Sequence, residues 1–317
     1  MVSFLDFEKP VAALDQRIID LRATAAEAGS PDIANDIERL EVKSARLLAE
    51  IYGKLTPWQK TQVARHPERP HFKHYVAGLL TDFIPLSGDR AFGDDQAIVG
   101  GLGKLDDRRV MVIGHEKGDD TASRIKHNFG MGKPEGYRKA IRLMELADRF
   151  GIPVVTLVDT SGAFPGIQAE ERGQAEAIAR STQACLTLGV PMIAAVVGEG
   201  GSGGAIALAA ANRVLMFEHA VYSVISPEGC ASILWRTADK APDAATAMQV
   251  TATDLKRLGV VDRIVEEPVG GAHRIPNLAI ASLKKAIVTE LDMLTPLDAD
   301  TLRMGREDKF LAMGRLA

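Results

Sequence analysis

The segment Gly198-Glu-Gly-Gly-Ser-Gly-Gly204 places five glycines in seven residues. It directly follows the apolar run Pro191 to Val197 and directly precedes another, Ala205 to Ala211. Glycine at such a junction admits positive φ and lets a ligand approach main-chain N–H groups. A helix starting there adds unpaired donors and the positive end of its dipole, so the arrangement favours negative oxygen. A tight strand-to-helix turn alone accounts for one or two of these glycines, not five.

Three chemistries fit the same residues. Gly198-x-Gly200-x-x-Gly203 satisfies the dinucleotide fingerprint, with Glu218 where an acidic ribose ligand belongs. Against it, Asn212-Arg213 ends the following helix after about nine residues, too few for a full crossover. Gly200-Gly-Ser202-Gly-Gly204 satisfies the G-x-S-x-G elbow of a serine hydrolase, with Asp262 and His273 following in hydrolase order. In the third reading the main-chain N–H groups form an oxyanion hole for a thioester enolate or a ureido oxygen, and no nucleophile is needed.

Other residues narrow the choice. Asp159-Thr-Ser-Gly-Ala-Phe-Pro-Gly166, then Glu170-Glu-Arg-Gly173, closes a second strand and opens a second helix, a further candidate for lining a cleft. Arg65 to His74 and Lys117 to Lys139 are locally basic and are either solvated faces or anion-binding segments, for example for coenzyme phosphates. His115-Glu-Lys-Gly-Asp119 lacks the second His of a zinc-binding H-E-x-x-H helix, the other histidines are scattered, and no G-x-x-x-x-G-K-[ST] loop is present. Metal-assisted hydrolysis and ATP hydrolysis therefore have no motif to rest on. Cys185 and Cys230 cannot form a structural zinc site alone and are expected to be two buried free thiols.

The elements that must position these residues are legible from periodicity. Val11, Leu14, Ile18, Leu21 and then Ile33, Ile37, Leu40, Ser44, Leu47, Ile51 repeat at three- and four-residue intervals, which predicts a helical hairpin over residues 1–55. Gly29 suits the end of its first helix, Ser30 the cap of the second and Pro31 its first turn. The seam is either packed on its own domain or is a subunit contact. After a connector punctuated by Pro57, Pro67, Pro70 and Pro85, residues 56–317 alternate strands and helices. Strands are predicted at Ile98 to Val99, Val110 to Ile113, Pro153 to Asp159, Pro191 to Val197, Val214 to Phe217, Val221 to Ile225 and Val261 to Val265. Helices are predicted at Pro134 to Phe150, Glu170 to Leu188, Ala205 to Ala211, Ala244 to Leu258 and Pro276 to Leu291. Leu143, Leu146 and Phe150 have the helical spacing of core residues.

With 317 residues, 46% hydrophobic and 25% charged, the chain is long enough for a substantial core. Its formal charge of −4 supplies no overall field for nucleic acid or an anionic membrane. No apolar run reaches the 18 or so residues that span a bilayer, and the acidic start lacks a basic n-region, so the expected location is cytoplasmic.

Several long blocks together resemble one family. Ser87-Gly-Asp-Arg90, Ala97-Ile-Val-Gly-Gly101, His127-Asn-Phe-Gly-Met131, Pro134-Glu-Gly-Tyr-Arg-Lys139, Asp159 to Gly166, Ala169-Glu-Glu-Arg-Gly-Gln174, Gly198 to Gly204 and Ser223 to Trp235 resemble the α subunits of bacterial acetyl-CoA carboxylase carboxyltransferases, over nearly the whole chain. Ser161 departs from the family's D-T-P-G-A loop, loosening a turn without removing a reactive group. The resemblance implies a crotonase-like α/β fold of ββα units and transfer of carboxylate from carboxybiotin, on a biotin carboxyl carrier protein, to acetyl-CoA, giving malonyl-CoA for fatty acid synthesis. It implies no covalently bound cofactor in this chain. It further implies a β subunit with a crotonase-like domain and a Cys₄ zinc ribbon, an α2β2 heterotetramer and a biotin carboxylase. It places Gly203 and Gly204 as oxyanion-hole donors, and Gly200, Gly201, Gly162 and Ala163 as substrate-binding positions.

Overall fold

The computed structural model describes residues 3–28 and 31–314. Helices α1 (Lys9–Ala28) and α2 (Pro31–Tyr52) pack on each other, tied by Ser44 Oγ donating to Asp15 at 2.6 Å. The proposed turn residues Gly29 and Ser30 lie outside the described residues. At the hairpin's base, Tyr52 Oη and Arg274 both donate to the buried Glu8 carboxylate, at 3.0 and 2.9 Å. That buried network fastens the hairpin to the remainder of the chain, while its seam residues Leu14, Leu21, Ile37 and Leu40 stay half-buried.

The Pro-rich connector is not a plain linker. It holds α3 (Pro57–Ala64) and α4 (Phe72–Leu79), too short to show a helical period. Thr56 accepts from Gln59 N and Gln59 Oε1 accepts from Thr56 N, a reciprocal cap that starts α3 with Pro57 in its first turn.

Next come β1 (Thr81–Pro85), β2 (Ile98–Leu105), β3 (Arg108–His115), α5 (Thr121–Lys126), α6 (Pro134–Arg149) and β4 (Val154–Thr160). They are followed by α7 (Ile167–Glu171), α8 (Gln174–Thr187), β5 (Met192–Gly201), α9 (Ser202–Ala209), β6 (Arg213–Phe217) and β7 (Val221–Ser223). The chain then continues through α10 (Pro227–Trp235), α11 (Ala241–Ala247), α12 (Ala252–Arg257), β8 (Arg263–Val265), α13 (Pro276–Leu294) and α14 (Ala299–Ala312).

Among the described residues the strands form one sheet in the order β1-β2-β3-β4-β5-β6-β8, and β7 pairs with the end of β5. The first three strands are antiparallel and the rest parallel. Every residue of β4 and β5 is buried, which explains why these segments read as unbroken apolar runs rather than alternating ones.

Several boundaries differ from the sequence reading, β2 and β3 being longer than expected and β7 shorter, and three differences change how helices begin or break. The helix expected over 170–188 is two, because Gly173 takes φ +79° between α7 and α8. That over 244–258 is also two, broken at Gln249 with φ +53° and restarted by Thr251, which caps α12. The glycine segment is not a loop: Gly198 to Gly201 continue β5 and the helix begins at Ser202, not Ala205. Leu143 is buried, whereas Phe150 ends α6 in the open, 66% exposed.

Helix α14, which the periodicity did not reveal, seats Arg306 fully inside. Arg306 donates to the carbonyls of Leu188 and Val190 and to Asn212 Oδ1, which also accepts Met192 N. This locks the end of α8 to the starts of β5 and β6. No described helix is long and apolar enough to cross a membrane.

Candidate active site

Strands β4 and β5 run parallel until a register shift after Val158, beyond which Thr160 pairs with Gly200. Their ends then touch backbone to backbone. A Cβ on Gly201 would lie 2.1 Å from Ser161 O, and one on Gly204 would lie 2.7 Å from Gly162 C. Gly198 faces the Asp159 carboxylate and Gly200 the Tyr222 ring at comparable range. Close packing thus accounts for four of the five glycines, more than the sequence reading allowed. Gly203 differs, since a Cβ there meets only Ile178 Cδ1 at an ordinary 3.4 Å.

Ser202 turns the corner from strand to helix with φ +49°, rare for a residue bearing a Cβ. Gly203 and Gly204 are then the second and third residues of α9, where N–H groups have no partner within the helix. Gly201 at the cap position has no side chain to accept them. Facing this first turn is the Ser161–Ala163 turn, held by Thr160 Oγ1, which accepts from Gly162 N at 3.1 Å and donates to Gly162 O at 2.8 Å.

Beneath the turn lies a buried charge network. Asp159 accepts from Glu199 N at 2.9 Å and pairs with Lys117 Nζ at 2.6 Å. Burial alone would raise its pKa, but Lys117, His71 and the Glu199 amide together hold it well below the usual carboxylate range. His115, whose Nδ1 accepts from Asp159 N at 3.4 Å, is pushed down to about 4 by burial, against the pull of Asp159. Its ring is therefore neutral at pH 7. Glu199 is paired with Arg65 of the segment after α3, which also reaches Glu228 on α10 at 2.6 Å.

An open pocket of about 220 Å³ adjoins the network, lined by Arg65, His71, Lys117, Arg124, Phe129 and Ser161 among others. It meets the glycine corner through Ser161; Gly203 and Gly204 do not line it. Arg65, Arg69 and Lys117 are each paired with a carboxylate, whereas Arg124 forms no ion pair among the described residues and donates weakly to Gly118 O at 3.4 Å.

The structure brings Gly200, Gly201, Gly203 and Gly204 together with Gly162 and Ala163. It does not assemble the hydrolase triad. Asp262 accepts from Val214 N at 2.6 Å and pairs with Lys309, while His273 is buried in a stack on His66 with centroids 3.8 Å apart. Nor is a dinucleotide site formed, since Gly198 to Gly201 are strand and the Glu218 main chain is engaged with Val265 O and Lys60.

The basic stretch Arg65 to His74 is not a solvated face: Arg69 is 2% exposed, forks onto Glu267 at 2.6 and 2.9 Å and donates to Val197 O at 2.7 Å. Lys139 is likewise buried against Asp94. Cys185 is buried and free, and burial pushes its thiol up to about 12; Cys230 is free but half-buried. The sequence reading gave Lys117, His71 and Phe129 no individual role. They entered it only within the two basic segments and, for Phe129, the block His127 to Met131, and neither says which side chains turn inward.

A sheet of this topology, with a glycine-built helix start at the end of its most buried strand, is that of a crotonase-like carboxyltransferase domain. Solved structures agree on the fold: transcarboxylase 12S with methylmalonyl-coenzyme A bound superposes with a TM-score of 0.59 at 20% identity, over 72% of this chain and 42% of that one. A Pseudomonas malonate decarboxylase hetero-tetramer in complex with coenzyme A gives 0.59 at 17% identity, over 76% and 92%.

Sequence relatives are nearer. The acetyl-coenzyme A carboxylase carboxyl transferase subunit alpha of Rhizorhabdus wittichii is 76% identical over 99% of this chain and 100% of its own length. That of Parvibaculum lavamentivorans is 62% identical over 100% and 99%. The family profile described as acetyl co-enzyme A carboxylase carboxyltransferase-like matches residues 4–314. The chain belongs to this family, as an α subunit of the carboxyltransferase of acetyl-CoA carboxylase.

Proposed function

We propose that this chain, with a carboxyltransferase β subunit, moves a carboxyl group from carboxybiotin on a biotin carrier protein to acetyl-CoA, giving malonyl-CoA for fatty acid synthesis in the cytoplasm. Across the reaction the carboxyl carbon leaves the biotin ring nitrogen and bonds to the methyl carbon of acetyl-CoA, while the methyl proton passes to that nitrogen. Both partners become anionic on the way, one on a ureido oxygen and one on a thioester oxygen.

The observation that carries the reading is the first turn of α9, which has no side-chain cap at Gly201 and packs against the Ser161–Ala163 turn. In this reading Gly203 and Gly204 donate to the ureido oxygen, Gly200 and Gly201 form the floor, and Gly162 and Ala163 form the facing wall. Loss of one such donor typically slows acyl-type chemistry about 10²- to 10³-fold. Asp159 and Lys117 neutralise each other below this floor, so the Asp159 carboxylate does not compete with the substrate's charge.

An apolar ridge supports a partner at this edge. Val224, Ile233, Leu234 and Trp235 are 81, 71, 63 and 44% exposed, beside β7, which pairs with Gly200 and Gly201. An exposed cluster of this kind marks an association surface. We assign it to the β subunit, whose zinc ribbon and second oxyanion hole complete the site in an α2β2 heterotetramer served by biotin carboxylase.

Malonyl-CoA decarboxylation with biocytin as acceptor tests the reading. The chain mixed with its β subunit turns over and each alone does not. Biocytin-independent thioester hydrolysis, or full turnover without the partner, contradicts it.

A further inference from the structure

We propose that Phe129 seats the fused ring of the biotin substrate, an assignment that rests on the carboxyl-transfer reading above and adds a substrate-contacting side chain to it. Asn128, Phe129 and Gly130 take consecutive left-handed φ values of 48, 54 and 77°. Two side-chain-bearing residues in a row in that region persist only where the surroundings fix them. The surroundings do so here. His127 Nδ1 lies 2.6 Å from Gln96 O, Asn128 Nδ2 donates to Met131 O at 2.8 Å, and Gly130 N donates to His127 O at 2.9 Å. Gly130 presses on the buried ion pair, since a Cβ on it would sit 2.9 Å from Lys117 Cγ and 3.0 Å from Asp159 O.

All this rigidity holds a phenyl ring half in water. Phe129 is 50% exposed and lines the pocket with Lys117, Arg124 and Ser161. Phe129 is not turned into the core as Phe72 is; its ring is fixed at the wall of a cleft, where a ligand can stack on it. The pocket combines that flat apolar face with the Arg124 guanidinium, which forms no ion pair among the described residues, and opens towards the glycine corner through Ser161. Its chemistry fits a compact bicyclic urea with apolar faces and a polar edge, more closely than a pantetheine chain, which has no flat face to stack.

The test uses the complex of this chain with its β subunit, biocytin and malonyl-CoA. Phe129→Ala and Phe129→Gly are expected to raise the biocytin KM about tenfold or more and leave the malonyl-CoA KM within twofold; Phe129→Gly, which alone removes the Cβ strained at positive φ, leaves Tm unchanged or higher. Phe129→Tyr, which keeps the ring, restores the biocytin KM. An unchanged biocytin KM in Phe129→Ala, or a fall in Tm with both KM values rising together, overturns the assignment. No biocytin-dependent turnover by the unsubstituted complex overturns the carboxyl-transfer reading, and this one with it.

Discussion

Alanine at Gly203 and at Gly204 separates packing from catalysis in adjacent residues. At Gly203 the added methyl meets Ile178 Cδ1 at 3.4 Å and Cγ2 at 3.5 Å, ordinary contacts, on helical backbone. Gly203→Ala is expected to hold kcat within threefold and to stabilise the chain by about 0.5 to 1 kcal/mol through a stiffer unfolded state. At Gly204 the methyl falls 2.7, 2.9 and 3.0 Å from Gly162 C, Ala163 N and Gly162 O, all backbone atoms that cannot swing aside.

To restore a 3.4 Å contact from 2.7 Å, the first turn of α9 and the Ser161–Ala163 turn have to part by about 0.7 Å. Displacements near 1 Å at reacting groups lower rates about 10²-fold, equivalent to about 3 kcal/mol of barrier. Gly204→Ala is therefore expected to lose about 30- to 100-fold in kcat while the complex with the β subunit still forms. The assay is biocytin-dependent malonyl-CoA decarboxylation, with complex formation followed by size-exclusion chromatography. Gly204→Ala with kcat within threefold of the unsubstituted complex, or Gly203→Ala losing as much as Gly204→Ala, would refute the geometric argument.

Three further outcomes follow from buried groups and from the glycine corner. His115 is neutral when folded, with its pKa lowered from about 6.5 to about 4, so the unfolded chain takes up its proton first as the pH drops. Its stabilisation, about 3 kcal/mol in full, is present above pH 6.5 and lost on falling to pH 4; in His115→Asn the decline of Tm over that window is shallower, and an unaltered slope would count against the assignment. Arg306→Met takes the guanidinium donor from the carbonyls of Leu188 and Val190 and leaves Asn212 Oδ1 with Met192 N alone, so chemical denaturation is expected to show a loss of about 3 kcal/mol. A loss below about 1 kcal/mol would mean that water replaces the guanidinium. Ser202→Ala retains turnover, and Ser202 resists fluorophosphonate labelling, because no histidine is hydrogen-bonded to it among the described residues; stoichiometric labelling would revive the hydrolase reading.

The sequence by itself determined where the main strands lie along the chain, because β4 and β5 are buried on both faces and an unbroken apolar run is what such a strand requires. It also determined the place of the glycine corner, since backbone approaches under 3 Å at Gly201 and Gly204 leave no room for a Cβ unless the backbone shifts. Family blocks over nearly the whole chain then pointed to the chemistry. Only the tertiary structure decided which basic residues face inward. Arg69 and Lys117 look like any surface cation in sequence, and their burial depends on Glu267 and Asp159, which stand 198 and 42 positions further along the chain. It also decided that Asp262, His273 and Ser202 stay apart, and that Phe129 is held outward by a left-handed loop. Periodicity reports which face of a single element is apolar. Charge pairing and backbone strain arise between elements, and so become visible only once the sheet has set their separation.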